Sequence, residues 1–323
     1  MTSIKNTAVT TFRAAILAIV GIAMPAQASA GDFEPVRLDI TENITGIEFV
    51  SADTGFVVSQ GGQLGITHDG GRTWRVMTIA PNAPLEDVSF LDGRTGAVCG
   101  RGGSLYVTTD GGRRWENRSI MDTVSWLLSV QWVDSLHAVA AGMTRATASP
   151  LLGFTLVTRD RGRTWQRQES MGLGYGELFR APHGPVYFQS FGKLHMSRDG
   201  GQTWRTIETL DGIPGRVTSV TGRVGILAGA GGRIMYSHDN GRTWNDASAD
   251  PKNVFTSLAM VNADTGYVAG LNGVVMKTTD AGVSWTDIAL DPSLAFDIYD
   301  MAIAGEYVYL VGRSGTVLRA RRP

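Results

Sequence analysis

The polar and apolar positions of this chain repeat in groups of four short runs. In the first group, Thr45–Val50 alternates, Phe56–Ser59 is apolar, and Leu64–Thr67 and Trp74–Ile79 follow after turns rich in Gly and Asp. Short runs of this kind, bounded by such turns, predict β-strands joined by tight connections. No helical period separates the runs. Each group therefore predicts one four-stranded antiparallel sheet.

The third and fourth runs of a group are joined by a motif of Ser or Thr, one residue, Asp, one residue, Gly, two residues and Trp, here named the Asp-box. It spans Thr67–Trp74, Thr108–Trp115, Thr158–Trp165, Ser197–Trp204, Ser237–Trp244 and Thr278–Trp285. Its aspartates are Asp69, Asp110, Asp160, Asp199, Asp239 and Asp280. Their spacings of 41, 50, 39, 40 and 41 residues indicate a propeller or a solenoid built from one repeated unit.

Two further features predict a closed ring. After the sixth group, Phe296–Ile303, Tyr307–Gly312 and Thr316–Ala320 provide three strands of a seventh sheet, and the alternating segment Pro35–Ile40 can supply the fourth. Pairing of the two chain ends would leave no open sheet edge. We predict an all-β, seven-bladed β-propeller of four-stranded antiparallel blades, forming a single domain over residues 31–323. The longest interval is explained by extra residues in Met143–Gly153.

The residues of the Asp-box indicate a structural role in the turn. Its Asp can accept backbone N–H groups across the turn, its Gly permits a positive φ, and its Trp can pack into a hydrophobic layer. The tryptophans are Trp74, Trp115, Trp165, Trp204, Trp244 and Trp285. The motif occurs six times, whereas a catalytic residue is needed at only one place in a protein, so the repetition argues against a catalytic role. Calcium binding is the alternative, although one carboxylate per turn is few for that ion. We expect no metal and no cofactor.

Residues 1–30 have the pattern of a cleaved secretory signal. Lys5 and Arg13 provide the positive region, Ala14–Met24 is apolar, and Ala28–Ala30 has the small-residue pattern of a cleavage site. We expect export of the mature chain, and no later segment is apolar enough to span a membrane.

The composition excludes some classes of function. Removing residues 1–30, which hold two cations and no acid, leaves 27 basic and 30 acidic residues. A domain with this slightly acidic balance is not suited to bind nucleic acid by bulk charge. Cys99 is the single cysteine, so no intramolecular disulfide can form, and its apolar neighbours predict a small buried residue. We expect a monomer.

These repeats resemble the photosystem II stability and assembly factor family of cyanobacteria and plastids. The resemblance is carried by Gly55–Gly71 (GFVVSQGGQLGITHDGG), Thr95–Gly112 (TGAVCGRGGSLYVTTDGG) and Thr265–Gly282 (TGYVAGLNGVVMKTTDAG). It implies a non-enzymatic chaperone that binds newly made reaction-centre protein and helps to assemble a membrane complex. Related propellers are also exported by non-photosynthetic bacteria, so the resemblance implies either the periplasm or the thylakoid lumen.

The resemblance also implies an arginine patch, and the topology suggests where to seek one. The turns between second and third strands open on the face opposite the Asp-boxes, and five of them carry a cation: Arg101, Arg145, Lys193, Arg233 and Arg313. Such a rim could pair with carboxylates of a protein partner. The alternative is neutralisation by acids in the neighbouring connections, which are Glu86, Asp87, Asp211 and Asp297. Trp126, in the connection between the second and third groups, is either an interface anchor or a core residue.

An Asp-box glycoside hydrolase of the sialidase type is the alternative function. Such enzymes use an Arg triad, a Tyr nucleophile with Glu, and an Asp, and candidates here are Glu177, Arg180 and Tyr299. The string Phe179–Pro182 resembles the sialidase signature but follows the third Asp-box, whereas in sialidases it precedes the first. The short turns leave little loop material for a sugar pocket.

Overall fold

The computed structural model of the protein describes residues 33–81, 83–120, 125–144, 152–169, 176–180, 185–190, 193–209, 215–220, 224–239 and 242–322. Within them, the strands form seven four-stranded antiparallel sheets, which are the blades of a propeller. The predicted fold class is therefore confirmed. The expected signal segment 1–30 and Arg145 lie outside the described residues.

The strands of the first three blades follow the N-terminal strand, and each blade runs from its inner to its outer strand. They are β1 (Glu34–Pro35); β2 (Ile44–Phe49), β3 (Gly55–Ser59), β4 (Gln63–Thr67) and β5 (Arg75–Thr78) in blade 1; β6 (Leu85–Phe90), β7 (Gly96–Gly100), β8 (Leu105–Thr108) and β9 (Glu116–Asn117) in blade 2; and β10 (Ser125–Trp132), β11 (Ala138–Thr144), β12 (Leu152–Thr158) and β13 (Gln166–Glu169) in blade 3.

The remaining blades repeat this order. Their strands are β14 (Gly176–Arg180), β15 (Val186–Ser190), β16 (Lys193–Ser197) and β17 (Arg205–Thr209) in blade 4; β18 (Gly215–Val220), β19 (Val224–Gly229), β20 (Ile234–Ser237) and β21 (Asn245–Asp246) in blade 5; β22 (Phe255–Met260), β23 (Gly266–Gly270), β24 (Val275–Thr278) and β25 (Thr286–Asp287) in blade 6; and β26 (Ile298–Ala304), β27 (Tyr307–Gly312) and β28 (Val317–Arg321) in blade 7. Short 3₁₀ turns lie at Leu271–Gly273, Pro292–Leu294 and Arg313–Gly315.

The N-terminal strand completes blade 7 and closes the ring. β1 pairs antiparallel with β28, with Glu34 opposite Arg319 and Pro35 opposite Leu318. The N–H of Val36 donates to the carbonyl of Val317 at 2.9 Å, and Arg319 Nε donates to Glu34 Oε1 at 2.7 Å. The strand is shorter than the predicted Pro35–Ile40 segment and begins one residue earlier. The inner strands β2 and β26 also contact each other, as neighbouring inner strands do around the ring.

The hydrophobic core is divided among the interfaces between blades. The described buried residues form seven clusters, and each one joins two neighbouring blades. Between blades 1 and 2, for example, the rings of Phe56 and Phe90 stack at a centroid distance of 3.5 Å. Trp132 in blade 3 and Tyr267 in blade 6 are almost fully buried in such clusters. A single blade therefore has no core of its own.

Carboxylates on inner strands connect three successive interfaces. Asp300 Oδ2 of blade 7 accepts the N–H of Ile47 in blade 1 at 2.9 Å. Glu48 of blade 1 accepts the N–H of Phe90 in blade 2 at 2.5 Å, and Asp87 of blade 2 accepts the N–H of Val130 in blade 3 at 2.8 Å. Burial raises the pKa of Glu48 well above its ordinary value, against the lowering by the Phe90 N–H. These bonds align neighbouring inner strands.

The glycine that all six Asp-boxes share lies at a contact between blades as well as in a turn. Gly201 of blade 4 has φ +88°, and a β-carbon there would lie 2.3 Å from Cγ2 of Val139 in blade 3. A β-carbon at Gly71, Gly112, Gly162 or Gly282 would meet a side chain of the preceding blade at 2.9 Å. The missing side chain therefore lets the preceding blade approach the turn.

The ring-closing strand gives a first prediction. Phe33 is buried with Leu318 and Ala320 beside β28, so Phe33→Ala should lower the free energy of unfolding by about 3 kcal/mol. Arg37→Ala, whose side chain is 93% exposed, is the control and should change it by less than about 0.5 kcal/mol. Urea titration of both variants measures the difference, and equal stability would show that β1 does not hold the ring closed.

A pair of glycines separates turn strain from contact between blades. Gly102 has φ +66° and open space around its missing β-carbon, so Gly102→Ala should cost about 1 kcal/mol through the left-handed backbone alone. Gly201→Ala should cost about 1–3 kcal/mol more, because the new methyl group overpacks Val139. Denaturant midpoints of the two variants test this. Equal losses would mean that the turn geometry alone requires glycine.

Candidate functional site

In each Asp-box the Asp carboxylate is hydrogen-bonded within its own turn, and in blades 1, 3 and 6 the Trp indole N–H also donates to that turn. In blade 1, Asp69 Oδ1 accepts the N–H groups of Arg72 and Thr73, both at 2.9 Å. Its Oδ2 accepts the Thr73 hydroxyl at 2.6 Å. The Thr67 hydroxyl donates to Asp69 Oδ1 and accepts the Gly71 N–H, each at 2.9 Å. Trp74 Nε1 donates to the Gly71 carbonyl at 3.2 Å. The carboxylate is thus occupied by its own turn.

The same network lowers the pKa of all six Asp-box carboxyl groups. For Asp69, burial raises the pKa, but the hydrogen bonds from Thr73, Thr67 and Arg72 outweigh it and bring it to about 2. For Asp239, the N–H and hydroxyl of Thr243 are the main causes, and the pKa is again about 2. The remaining carboxyl groups shift in the same direction: Asp110, Asp160, Asp199 and Asp280. Hydrogen bonds to the ionised form stabilise that form.

The cations of the suggested rim lie at the turns between second and third strands. Arg101 follows β7, Arg233 precedes β20 and Arg313 follows β27, whereas Lys193 is the first residue of β16. Arg145 lies outside the described residues. Because the strands of each blade alternate in direction, these turns open on the face opposite the Asp-boxes. Each described cation stands on a different blade.

Arg101 is held by an acid and an aromatic ring. Its Nε donates to Glu86 Oε1 at 2.6 Å, and its guanidinium carbon lies 4.8 Å from the centre of the Trp126 ring. Burial raises the pKa of Glu86, while the hydrogen bond and charge of Arg101 lower it. Trp126 is half-buried and forms an isolated β-bridge with Arg101 across the interface between blades 2 and 3. This tryptophan is therefore a stacking surface for Arg101.

The other described arginines of the rim also have acidic partners. Arg313 forms an ion pair with Asp297, and Arg233 lies 4.0 Å from Asp246. Hydrogen bonding with Tyr299 and the charge of Asp297 raise the pKa of Arg313. Lys193 is exposed and, among the residues that the structure describes, forms no ion pair. Glu86 and Asp297 thus neutralise part of the rim, Asp87 instead joins blades 2 and 3, and Asp211 lies outside the described residues.

The candidate sialidase residues lie on the inner strands of blades 4 and 7. Arg180, at the end of β14 in blade 4, donates to the Trp132 carbonyl at 3.2 Å and to the Val133 carbonyl. Glu177 lies on the same strand, closer to its start. Tyr299 lies near the start of β26 in blade 7, so Tyr299 and Glu177 lie toward one end of the inner strands and Arg180 lies toward the other. The structure does not bring Tyr299 together with Arg180 as the mechanism requires.

The described part of the chain contains neither a candidate metal site nor a candidate membrane-spanning helix. There, no group of three or more His, Cys, Asp or Glu residues could hold a metal ion. No helix in those ranges has the length and apolar character needed to cross a bilayer.

Comparison with known proteins identifies a family. The family model described as "Photosynthesis system II assembly factor YCF48" matches residues 25–184 and 218–322, which is more than half of the chain. A search of curated proteins found no match.

Solved structures share the fold. One described as "YCF48 bound to D1 peptide" is 22% identical, with a TM-score of 0.73 over 94% of this chain and 100% of that chain. YCF48 from Cyanidioschyzon merolae is 17% identical, with a TM-score of 0.70 over 90% and 98% of the two chains. The structure of U3-55K is 9% identical at a TM-score of 0.70, over 91% and 99%. At these identities the likeness concerns the fold alone.

The lowered pKa values predict how an Asp-box contributes to stability as pH changes. The pKa of Asp69 in the folded chain lies below its ordinary value of 3.8, so its contribution is present above that value and is lost as pH falls toward about 2. Asp69→Asn should therefore lower the urea midpoint at pH 7, and the difference from wild type should shrink between about pH 4 and pH 2. Asp39→Asn, at an exposed aspartate outside the motif, is the control. A difference that stayed constant down to pH 2 would contradict this origin.

Proposed function

The chain belongs to the family of the photosynthesis system II assembly factor YCF48, and we propose that it acts as a non-enzymatic protein-binding scaffold. In this proposal the protein works on the exported side of a membrane, in the periplasm or, in a photosynthetic host, in the thylakoid lumen. There it assists the assembly or stability of a membrane protein complex. The family match carries the proposal, and the solved relative bound to a D1 peptide supports a protein or peptide as the partner.

The architecture supports binding in preference to catalysis. The blades repeat the same four-stranded plan, and buried apolar residues lie at all seven interfaces between them. A rigid ring presents its turns in constant positions, which reduces the entropy cost of binding a partner. Arg180 and Tyr299 lie toward opposite ends of their inner strands, and Arg180 is engaged with backbone carbonyls of blade 3. A fluorogenic sialoside should therefore remain unhydrolysed, and turnover that disappeared in Tyr299→Phe would contradict the scaffold proposal.

The rim of Arg101, Arg145, Lys193, Arg233 and Arg313 is the face proposed for the partner. The side chains of Arg101 and Arg233 are 42% exposed and that of Arg313 is 60% exposed, so each guanidinium reaches solvent while an acid holds it in place. A carboxylate of the partner could add to such a pair or displace the acid, because a guanidinium offers five N–H donors. The stacked pair of Arg101 and Trp126 would supply the aromatic and arginine contacts typical of interface hot spots.

Capture of membrane proteins from the host tests this face. A variant with Arg101, Lys193, Arg233 and Arg313 all replaced by Ala should still fold, since none of the four belongs to the buried core. Its urea midpoint is measured alongside, because Glu86 and Asp297 lose their cationic partners. It should retain about tenfold less of the membrane proteins that co-purify with wild type, because several partly buried pairings are lost. Mass spectrometry of affinity-purified protein from detergent-solubilised host membranes measures the loss.

The matched control removes the same charge elsewhere. Arg75, Arg94, Arg205 and Arg242 are exposed, and replacing these four by Ala should leave capture unchanged. If the rim variant captured as much as wild type, the rim would not be the binding face. If wild type captured no specific membrane protein, the scaffold proposal itself would fail.

A further inference from the structure

A cleft of about 370 Å³ lies between blades 2 and 3 on the face of the Asp-boxes. Blade 2 contributes Thr109, Glu116 and Arg118, and blade 3 contributes Arg161 and Arg163 of its Asp-box. The rim proposed for the protein partner is on the opposite face. Three guanidinium groups thus meet at one interface with a single carboxylate in the lining.

Arg118 occupies a position that is apolar in most other blades. Arg118 is the third residue after the Asp-box Trp of blade 2. The residues at this position in the other blades are Met77, Gln168, Ile207, Ala247 and Ile288. Arg118 Nε donates to the Gly162 carbonyl across the interface at 3.3 Å, and a terminal nitrogen pairs with Glu116. The blade interface therefore orients this guanidinium along the cleft.

Arg161 stands at an Asp-box position that is Gly70, Gly111 and Gly200 in three other copies. Its φ of +63° lies in the left-handed region that favours glycine. Ala281 adopts φ +60° at the equivalent position of blade 6, so the turn accepts a β-carbon, and the charge is what distinguishes Arg161. Its Nε donates to the Ser135 carbonyl at 3.2 Å, which leaves its two terminal nitrogens for a ligand.

The charges of the cleft are unbalanced. None of the acids that the structure describes forms an ion pair with Arg161 or Arg163. The nearby Asp160 carboxylate is bonded to the Thr158 and Thr164 hydroxyls, at 2.9 and 2.6 Å, and to the Thr164 N–H. It is therefore committed to its own turn. Three cations and Glu116 leave the lining with two positive charges.

We propose that this cleft binds a tetrahedral oxyanion of two negative charges, of the phosphate type. Several guanidinium forks around a small space match the many acceptor oxygens of such a group. The volume is at the lower limit for small-ligand sites, so it fits a compact anion better than a folded segment of a protein. Inorganic phosphate and a phosphomonoester lipid headgroup share this chemistry, and the experiment separates them.

Substitutions taken from other blades remove the charges with little risk to folding. Arg161→Gly introduces the residue of three other Asp-boxes and relieves the left-handed strain. Arg163→Gln introduces the residue that blade 4 carries as Gln202. The matched control, Arg242→Gln, makes the same change at the equivalent box position of blade 5. In a chloride buffer without phosphate, the melting temperature of all three variants should equal that of wild type or lie slightly above it.

Isothermal calorimetry with potassium phosphate at pH 7.5 and constant ionic strength measures binding to the purified full domain. Wild type and Arg242→Gln should show saturable binding, and Arg161→Gly and Arg163→Gln should each lose about tenfold in affinity, as expected for one charge-assisted fork. The second measurement is binding of the protein to vesicles that contain phosphatidic acid, with vesicles of phosphatidylcholine alone as the control. Binding to the first kind only would show that a phosphomonoester headgroup can enter the cleft.

Three results would overturn the proposal. Wild type could show no saturable phosphate binding, or the double variant Arg161→Gly/Arg163→Gln could bind phosphate as tightly as wild type. Wild type could also bind succinate as tightly as phosphate, which would show that the cleft does not distinguish phosphate from carboxylates. Binding of phosphate without binding of vesicles would assign the site to the free anion, and binding of both would add the headgroup. The measurement uses protein and anion alone, so its outcome is independent of whether the opposite rim captures a membrane protein.

Discussion

Burial between neighbouring blades is the constraint on which this structure depends. A four-stranded blade has two apolar faces and no core of its own, and the seven clusters of buried residues all lie between blades. Every blade therefore needs two neighbours, which is satisfied only if the ring closes. The pairing of β1 with β28 supplies that closure and covers the last sheet edge. Strands β1 and β28 thus hold the ring together.

The Asp-box meets this constraint at one face of the ring. Its carboxylate and hydroxyl satisfy the N–H groups of a tight turn, and its glycine lets the preceding blade come close enough for Val139 or Ile66 to pack there. Since each carboxylate is already bonded to its own turn, the motif has little capacity left for a ligand. Chemistry on this face must come from the variable positions of the motif, and in blade 3 these carry Arg161 and Arg163.

The strands and the turns of each blade could be predicted from the sequence, because the pattern that specifies them is local and is repeated along the chain. The third and fourth strands and their Asp-box lie within about 15 residues of one another, and six copies reinforce the same interpretation. Prediction was weaker where a residue depends on another blade. The N-terminal strand proved shorter than Pro35–Ile40, because pairing with β28 stops after the Val36 N–H.

The partners of the candidate site residues were also beyond prediction from the sequence. That Arg101, Arg233 and Arg313 share one face follows from strand alternation, but their partners, Glu86, Asp246 and Asp297, could not be chosen from spacing alone. The cleft of Arg118, Arg161 and Arg163 was missed, although a signal existed: an arginine at a variable Asp-box position that is glycine in three other copies, and another at a position that is apolar in four of the other blades.

By itself, the sequence determined the fold class, the number of blades and the design of each turn, because strand period, turn residues and repeat length act over short distances. Only the tertiary structure decided which side chains meet across the blade interfaces. Those contacts join residues about 40 positions apart, or 253 positions apart where blade 7 meets blade 1. They depend on the angle and distance between blades, which no single repeat encodes.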